Sequence, residues 1–171
     1  MSMLRVDLGR LARKQSLQVE GSLEPDRYSY AGCGFVLEKP LHVAMTAAWA
    51  GSGEVVLRGT LMGSVRQTCR RCLDAAERQV DSEVTMVFAS SDLLDDEDEA
   101  TRRIGRGERE IDLEPHLRDE LILLVPMYVE CRPGCKGLCA GCGANLNDAD
   151  CQCSTEDMDP RWDALRALKN E

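Results

Sequence analysis

The sequence predicts an α+β fold: an antiparallel β-rich body, either a meander or a small partly open barrel, carrying two helices and a cysteine-rich lobe stapled by zinc. Three observations lead there. Alternating apolar and polar residues recur in short runs separated by turn residues. Leucines repeat at helical spacing near residues 112–125, and a second such face occurs close to the C-terminus. Six of the nine cysteines fall within residues 131–153.

The strand signals come in order. Leu4–Leu8 alternates, and Leu17–Leu23 alternates again before Pro25 stops it. A third run covers Leu41–Ala50, and Gly51-Ser52-Gly53 turns the chain into Val55–Val65. After Cys69 and Cys72, the residues Val80, Ser82, Val84, Met86 and Phe88 share one side of a further strand. Short turns between such runs favour antiparallel hairpins. Aromatic residues are only 4% of the chain, so the core must be aliphatic.

Residues 91–100 form an acidic loop, because like charges cannot pack against one another. Arg102, Arg103, Arg106 and Arg109 follow as neutralising neighbours; an acidic arm that controls access to a basic partner is the sharper reading. A helix runs over about 112–125, with Asp112 able to cap it and Pro115 tolerated in its first turn. Its stripe of Leu113, Leu117, Leu121 and Leu124 is read as core. A second helix begins near Asp159-Pro160, with Trp162, Leu165 and Leu168 on one face. The organisation expected is a β-rich body over 1–130, then a zinc-binding lobe and C-terminal helix over 131–171.

The cysteines carry the chemistry. Residues 131–153 are rich in glycine and poor in large apolar side chains, so they cannot bury enough surface to hold a shape unaided. Cys139-x-x-Cys142-Gly143 has the spacing that lets two sulfurs reach one tetrahedral ion, and the glycine permits the positive φ that turns backbone amides toward the thiolates. Cys151-x-Cys153 offers a second pair, Cys131 and Cys135 a third, and Cys69-Arg-Arg-Cys72 a fourth between two strands. Four pairs suit two zinc sites. The preferred assignment puts Cys139, Cys142, Cys151 and Cys153 on one ion and Cys69, Cys72, Cys131 and Cys135 on the other. A single site with the remaining thiols free stays open. Cys33 is left over as a buried thiol.

Four sulfur ligands leave no position for water or substrate, so such sites are structural. His42 and His116 read as surface or packing residues rather than ligands. The sequence holds no H-E-x-x-H, Walker loop or G-x-S-x-G, and no His-x-Glu ahead of the knuckle. The expectation is no enzyme and no small-molecule substrate. The net charge of −9 disfavours generic nucleic-acid binding. The longest clean apolar run, Leu121–Val125, is far below the ~18–20 residues of a membrane span. No export signal is evident at the start, so the expected compartment is the cytoplasm.

Several stretches resemble the bacterial YceD family, the large ribosomal RNA subunit accumulation proteins. They are Thr68-Cys69-Arg70-Arg71-Cys72-Leu73, the helix from Glu110-Ile111-Asp112-Leu113, the run Cys135-Lys136-Gly137-Leu138-Cys139 through Cys142-Gly143-Ala144-Asn145-Leu146-Asn147, and Asp159-Pro160-Arg161-Trp162. Residues 27–36 have no counterpart in that pattern. The resemblance implies a bacterial cytosolic factor needed for 23S ribosomal RNA accumulation. It brings a pathway without catalytic residues. The expected function is a non-enzymatic zinc-binding factor in large-subunit biogenesis, with Arg66, Arg70, Arg71, Arg132 and Lys136 facing ribosomal RNA or an assembly-pathway protein. The alternative is a redox-sensitive zinc switch that releases metal on oxidation.

Overall fold

The computed structural model describes residues 4–25, 30, 32–50, 53–92 and 101–153. The acidic block beyond Asp92, the turn residues Gly51 and Ser52, residues 27–29 and 31, and the helix expected from Asp159 lie outside the described residues.

Contacts divide the chain into two units. The first takes the chain up to Gln67 together with Glu77–Met127, and the second takes Thr68–Ala76 together with the chain from Tyr128 onward. The second unit thus begins at 128 rather than 131 and includes the Cys69–Cys72 turn. Backbone bonds explain this membership: the Arg70 amide donates to the Val129 carbonyl at 2.9 Å, and the Leu138 amide to the Arg71 carbonyl at 3.0 Å.

Among its described residues the first unit holds eight strands and two helices in the order β1 (Arg5–Asp7), α1 (Leu8–Lys14), β2 (Ser16–Leu23), β3 (Phe35–Val36), β4 (Leu41–Trp49), β5 (Val55–Thr68), β6 (Ala75–Ser90), β7 (Arg102–Ile104), β8 (Glu110–Asp112) and α2 (Glu114–Leu124). The far ends of β5 and β6 reach into the second unit's residues. The main sheet runs β2-β4-β5-β6-β7, with β3 added on β5, and it stays open rather than closing into a barrel. The pairs β2–β4, β4–β5 and β3–β5 are antiparallel, as the alternating runs and short turns require. One pairing departs from the expected meander: β7 lies parallel to β6, with Phe88 opposite Arg102. A parallel return needs about a dozen residues of connection, and the stretch between Ser90 and Arg102 supplies that length.

The run at Leu4–Leu8 is only in part a strand. β1 pairs with β8 in a separate two-stranded ladder, where Val6 faces Ile111 and both are buried. At Asp7 the chain turns into α1, because the Asp7 carboxylate accepts the Arg10 amide at 2.6 Å and so caps the new helix. Arg13 and Lys14 sit in the last turn, where the carbonyl end of the helix favours cations.

Helix α2 begins at Glu114, with Leu113 in the cap position. Asp112 still serves the helix start, since its carboxylate accepts the Glu114 amide at 3.1 Å. Leu113, Leu117 and Leu121 are fully buried, while Leu124 is 37% exposed and Val125 takes the core position instead. Among the described residues no helix is long and apolar enough to cross a membrane.

The core is aliphatic. Leu41, Val43, Met45 and Ala47 of β4 face the same way as Val55, Leu57, Leu61 and Val65 of β5 and Val80, Val84, Met86 and Phe88 of β6. In β5 the inward row includes Gly59, opposite Met45. A Cβ there would stand 2.0 Å from the Ala44 carbonyl oxygen and 2.6 Å from Met45 Sδ, so the glycine leaves room for the methionine.

Candidate metal centres

In the second unit the sequence first makes a tight turn at Cys69-Arg70-Arg71-Cys72. The Cys69 amide donates to the Asp74 carbonyl at 2.8 Å, and the Leu73 amide returns to the Cys69 carbonyl at 3.0 Å. The Arg71 amide points at Cys69 Sγ, 3.5 Å away. This geometry requires a left-handed residue after the second cysteine, and Leu73 supplies it with φ of 64°.

Cys139-Ala140-Gly141-Cys142 repeats the turn bond for bond. The Cys139 amide donates to the Ala144 carbonyl at 2.8 Å, the Gly143 amide to the Cys139 carbonyl at 2.9 Å, and the Gly141 amide to Cys139 Sγ at 3.3 Å. Gly143 takes the left-handed position at φ of 73°, where glycine has no side chain to strain. Both turns aim two sulfurs and their backbone amides to one side, which is the geometry of a zinc-knuckle-type pair.

Each turn is completed by a second pair. Cys69, Cys72, Cys131 and Cys135 form one group, and Cys139, Cys142, Cys151 and Cys153 form another; within each, the four sulfurs all lie within 4.8 Å of one another. In the first group Cys69 Sγ is 3.9 Å from Cys135 Sγ, and Cys72 Sγ is 3.5 Å from Cys131 Sγ. Two thiolates on one tetrahedral ion, each bound at about 2.3 Å, are about 3.8 Å apart. The donor set and the spacing fit a thiophilic divalent ion in both places. All eight cysteines are free thiols.

The groups differ in cover. Cys69, Cys72 and Cys135 are buried and Cys131 is half-buried, whereas in the second group Cys142 and Cys153 are exposed and only Cys139 is buried.

Local electrostatics prepares one thiolate per turn. The Cys72 amide leads the groups that favour the Cys69 thiolate, and against the opposing burial they hold its pKa at about 6. The amide of Cys142, then the Cys151 thiol and the Gly141 amide, hold Cys139 at about 6 as well. At Cys135 burial opposes ionisation, but the Asn147 side chain and the Gly137 amide outweigh it and the pKa falls. Cys72 is favoured by the Asp74 amide yet raised overall by burial and the neighbouring Cys69. The thiol of Cys142, followed by that of Cys139, pushes Cys153 up to about 12. A metal ion taken up here would meet one ready thiolate in each turn and would displace protons from the raised thiols.

The five basic residues singled out from the sequence divide into paired and unpaired. Arg66 belongs to the first unit and pairs with Glu38 at 2.8 Å. In the second unit Arg70 places Nε and Nη2 on Glu130 Oε1, at 3.2 and 2.7 Å, and Lys136 lies 3.7 Å from Asp150. Arg71 and Arg132 are exposed and carry no carboxylate partner among the described residues. His42 is exposed on β4, and His116 packs edge-on against Phe88 with ring centroids 4.8 Å apart. Burial, then Arg102, lowers the His116 pKa, which keeps the ring neutral. Neither histidine joins a cysteine group. Cys33 is half-buried against the first unit's core.

Sequence reasoning missed the residues that orient the thiolates. Asn147 Nδ2 donates to Cys135 Sγ at 3.3 Å while its Oδ1 accepts the Lys136 amide at 2.8 Å. Asn145 Oδ1 accepts from Asn147 Nδ2 at 2.8 Å, and Asn145 Nδ2 donates to Asp74 at 2.8 Å. The available signal was the pair of asparagines at spacing two beside a cysteine turn, a residue type suited to bonding nearby backbone.

Comparison with known proteins bears on the same residues. The family described as "Large ribosomal RNA subunit accumulation protein YceD" matches residues 57–169. The Mycobacterium tuberculosis protein named "Uncharacterized protein Rv2926c" is 32% identical over 174 residues, spanning 96% of this chain and 80% of its own length. Proteins named "Large ribosomal RNA subunit accumulation protein YCED homolog 1, chloroplastic" match shorter stretches. The one from Arabidopsis thaliana is 38% identical over 37% of this chain and 20% of its own, and the one from Zea mays is 42% identical over 30% and 18%. No solved structure matches. The family match runs from within β5 through both cysteine turns and covers more than half of the sequence, so this chain belongs to the YceD family.

Proposed function

We propose that this chain is a non-enzymatic, zinc-binding factor of the cytoplasm that supports 23S ribosomal RNA accumulation and large-subunit biogenesis by binding ribosomal RNA or an assembly-pathway protein. One observation carries the mechanism: each cysteine group offers four sulfurs at tetrahedral spacing, so a zinc ion there has every position filled and serves structure, not catalysis. The family's name supplies the pathway.

Charge shapes how the partner is met. Each loaded centre adds −2, taking the formal charge from −9 to about −13. Long-range attraction to a phosphate backbone is then absent, and contact depends on local cations. Among the described residues Arg71 and Arg132 have no carboxylate partner and are the candidates to provide it, because Arg70 and Lys136 are already answered by carboxylates. Reversing both, with Arg71→Glu and Arg132→Glu, should weaken recovery of pre-ribosomal particles on the tagged protein about tenfold, roughly 1.4 kcal/mol. Zinc content and thermal stability should stay unchanged. Unchanged recovery would remove these two arginines from the contact, and nuclease treatment of the same eluate separates an RNA partner from a protein one.

The exposure of Cys142 and Cys153 favours a second reading, a redox switch at that centre. Two thiolates would give two electrons to a peroxide. A sulfur–sulfur bond forms, the oxygen–oxygen bond breaks, two protons complete two waters, and the zinc leaves. Peroxide titration with zinc-release detection separates the readings: metal retained at modest oxidant leaves the switch without a trigger.

A further inference from the structure

We infer that Asn147 links the two cysteine centres, so that metal in the exposed group strengthens the hold of the buried group on its own metal, and the reverse. The inference rests on the metal-binding reading above.

The connectivity carries it. Asn145-Leu146-Asn147 lies between Cys142 and Cys151, so this loop is fastened at both ends by thiols of the exposed group. Its side chains, however, serve the buried group. Asn147 takes hold of the Cys135 segment twice, through Nδ2 on the sulfur at 3.3 Å and through Oδ1 on the next amide, Lys136, at 2.8 Å. Asn145 braces Asn147 from behind, accepting its backbone amide at 3.1 Å and its Nδ2 at 2.8 Å. Asn145 then reaches Asp74, whose carbonyl already holds the Cys69 amide. The Leu146 amide closes the loop onto the Gly137 carbonyl at 2.9 Å.

Residues that orient a ligand by hydrogen bonding commonly change metal affinity by 10–100-fold. Here such a residue sits on a loop whose own order depends on the other ion. With the exposed centre vacated, the loop gains conformational freedom and Asn147 is no longer presented to Cys135. Coupling of this kind is reciprocal, so each metal feels the loss of the other by a similar factor.

The test uses the full chain loaded with zinc(II) and titrated with a competing chelator. Thiol alkylation and peptide mapping report which cysteines each ion protects. Asn147→Ala should lower affinity at the buried centre at least tenfold. It should lower affinity at the exposed centre by a similar factor, although Asn147 touches none of those four thiols. In a Cys142→Ser, Cys153→Ser background, the same substitution should change the buried centre less than twofold. An equal effect of Asn147→Ala in both backgrounds would overturn the linkage. If the double-serine protein does not fold, the first comparison decides alone: a fall confined to either centre sinks the proposal. Absence of metal protection at both groups would instead defeat the metal reading itself.

Discussion

Stripping metal from the full chain, or replacing Cys135 by serine, is expected to unfold the second unit while the first keeps its core. The second unit's buried apolar cluster consists of Cys69, Cys72 and Cys135, with Cys131 and Leu138 packed at its margin. No buried Leu, Ile, Val or Phe stands behind them among the described residues of that unit. On the metal-binding proposal, the described part of this unit draws its folding free energy from metal–sulfur bonds, which in small zinc modules supply on the order of 10–16 kcal/mol. The first unit has no such dependence, because its core is a continuous aliphatic cluster over both helices and the open sheet. Hydrogen exchange should show the amides of Leu73, Cys139 and Gly143 losing protection after chelation, with those of β4 and β5 unmoved. Cys139→Ser or Cys142→Ser, in the more exposed group, should likewise cost residues 139–153 their resistance to protease. Retained protection of the two turns without metal would show that some other interaction holds them.

The cysteine groups were legible in the sequence because paired-cysteine spacing leaves a one-dimensional trace. Two residues between cysteines is a distance constraint, and the glycine at 143 marks the backbone reversal that the second turn needs. The first turn carries leucine at that place, so its strained φ had no signature. Pairing Cys69 and Cys72 with Cys131 and Cys135 was a choice among alternatives, and it corresponds to the grouping in the structure. The orienting asparagines were not legible as such. Their partners, Cys135 and Asp74, are twelve and seventy-one residues away in the chain, and local pattern does not encode such contacts.

In the body, strands with two-residue periodicity declared themselves and the short or long-range pieces did not. β2, β4, β5 and β6 all fall on alternating runs. β1 and β8 are three residues each and exist because Val6 and Ile111 bury each other across a gap of a hundred residues. β7 is a parallel addition, set by the length of the connection and by Arg102 settling over the Phe88 ring at 5.8 Å. α1 was hidden because its seven residues bury only Leu11, too few for a helical stripe; its cue was the capping Asp7.

Gly59→Val is expected to be the most damaging single substitution in the first unit. The glycine's inward position would bring a Cβ to 2.0 Å from the Ala44 carbonyl oxygen and 2.6 Å from Met45 Cα and Sδ. Two of those three atoms are backbone, so no rotamer change removes the clash, and the β4–β5 ladder has to part where Met45 faces residue 59. Core overpacking alone costs about 1–3 kcal/mol, and displacing ladder hydrogen bonds adds to it. A loss of about 4–5 kcal/mol lowers Tm by roughly 10–15 °C in a chain of this size. Met45→Ala should not rescue it, since it removes the sulfur and leaves the Ala44 carbonyl in place. Gly107→Ala is the matched control: φ is 82° there, but nothing lies within 4 Å of the added Cβ, so only the backbone strain of about 1 kcal/mol remains. If Gly59→Val unfolds no earlier than Gly107→Ala in calorimetry, close approach between β4 and β5 is not what this glycine provides.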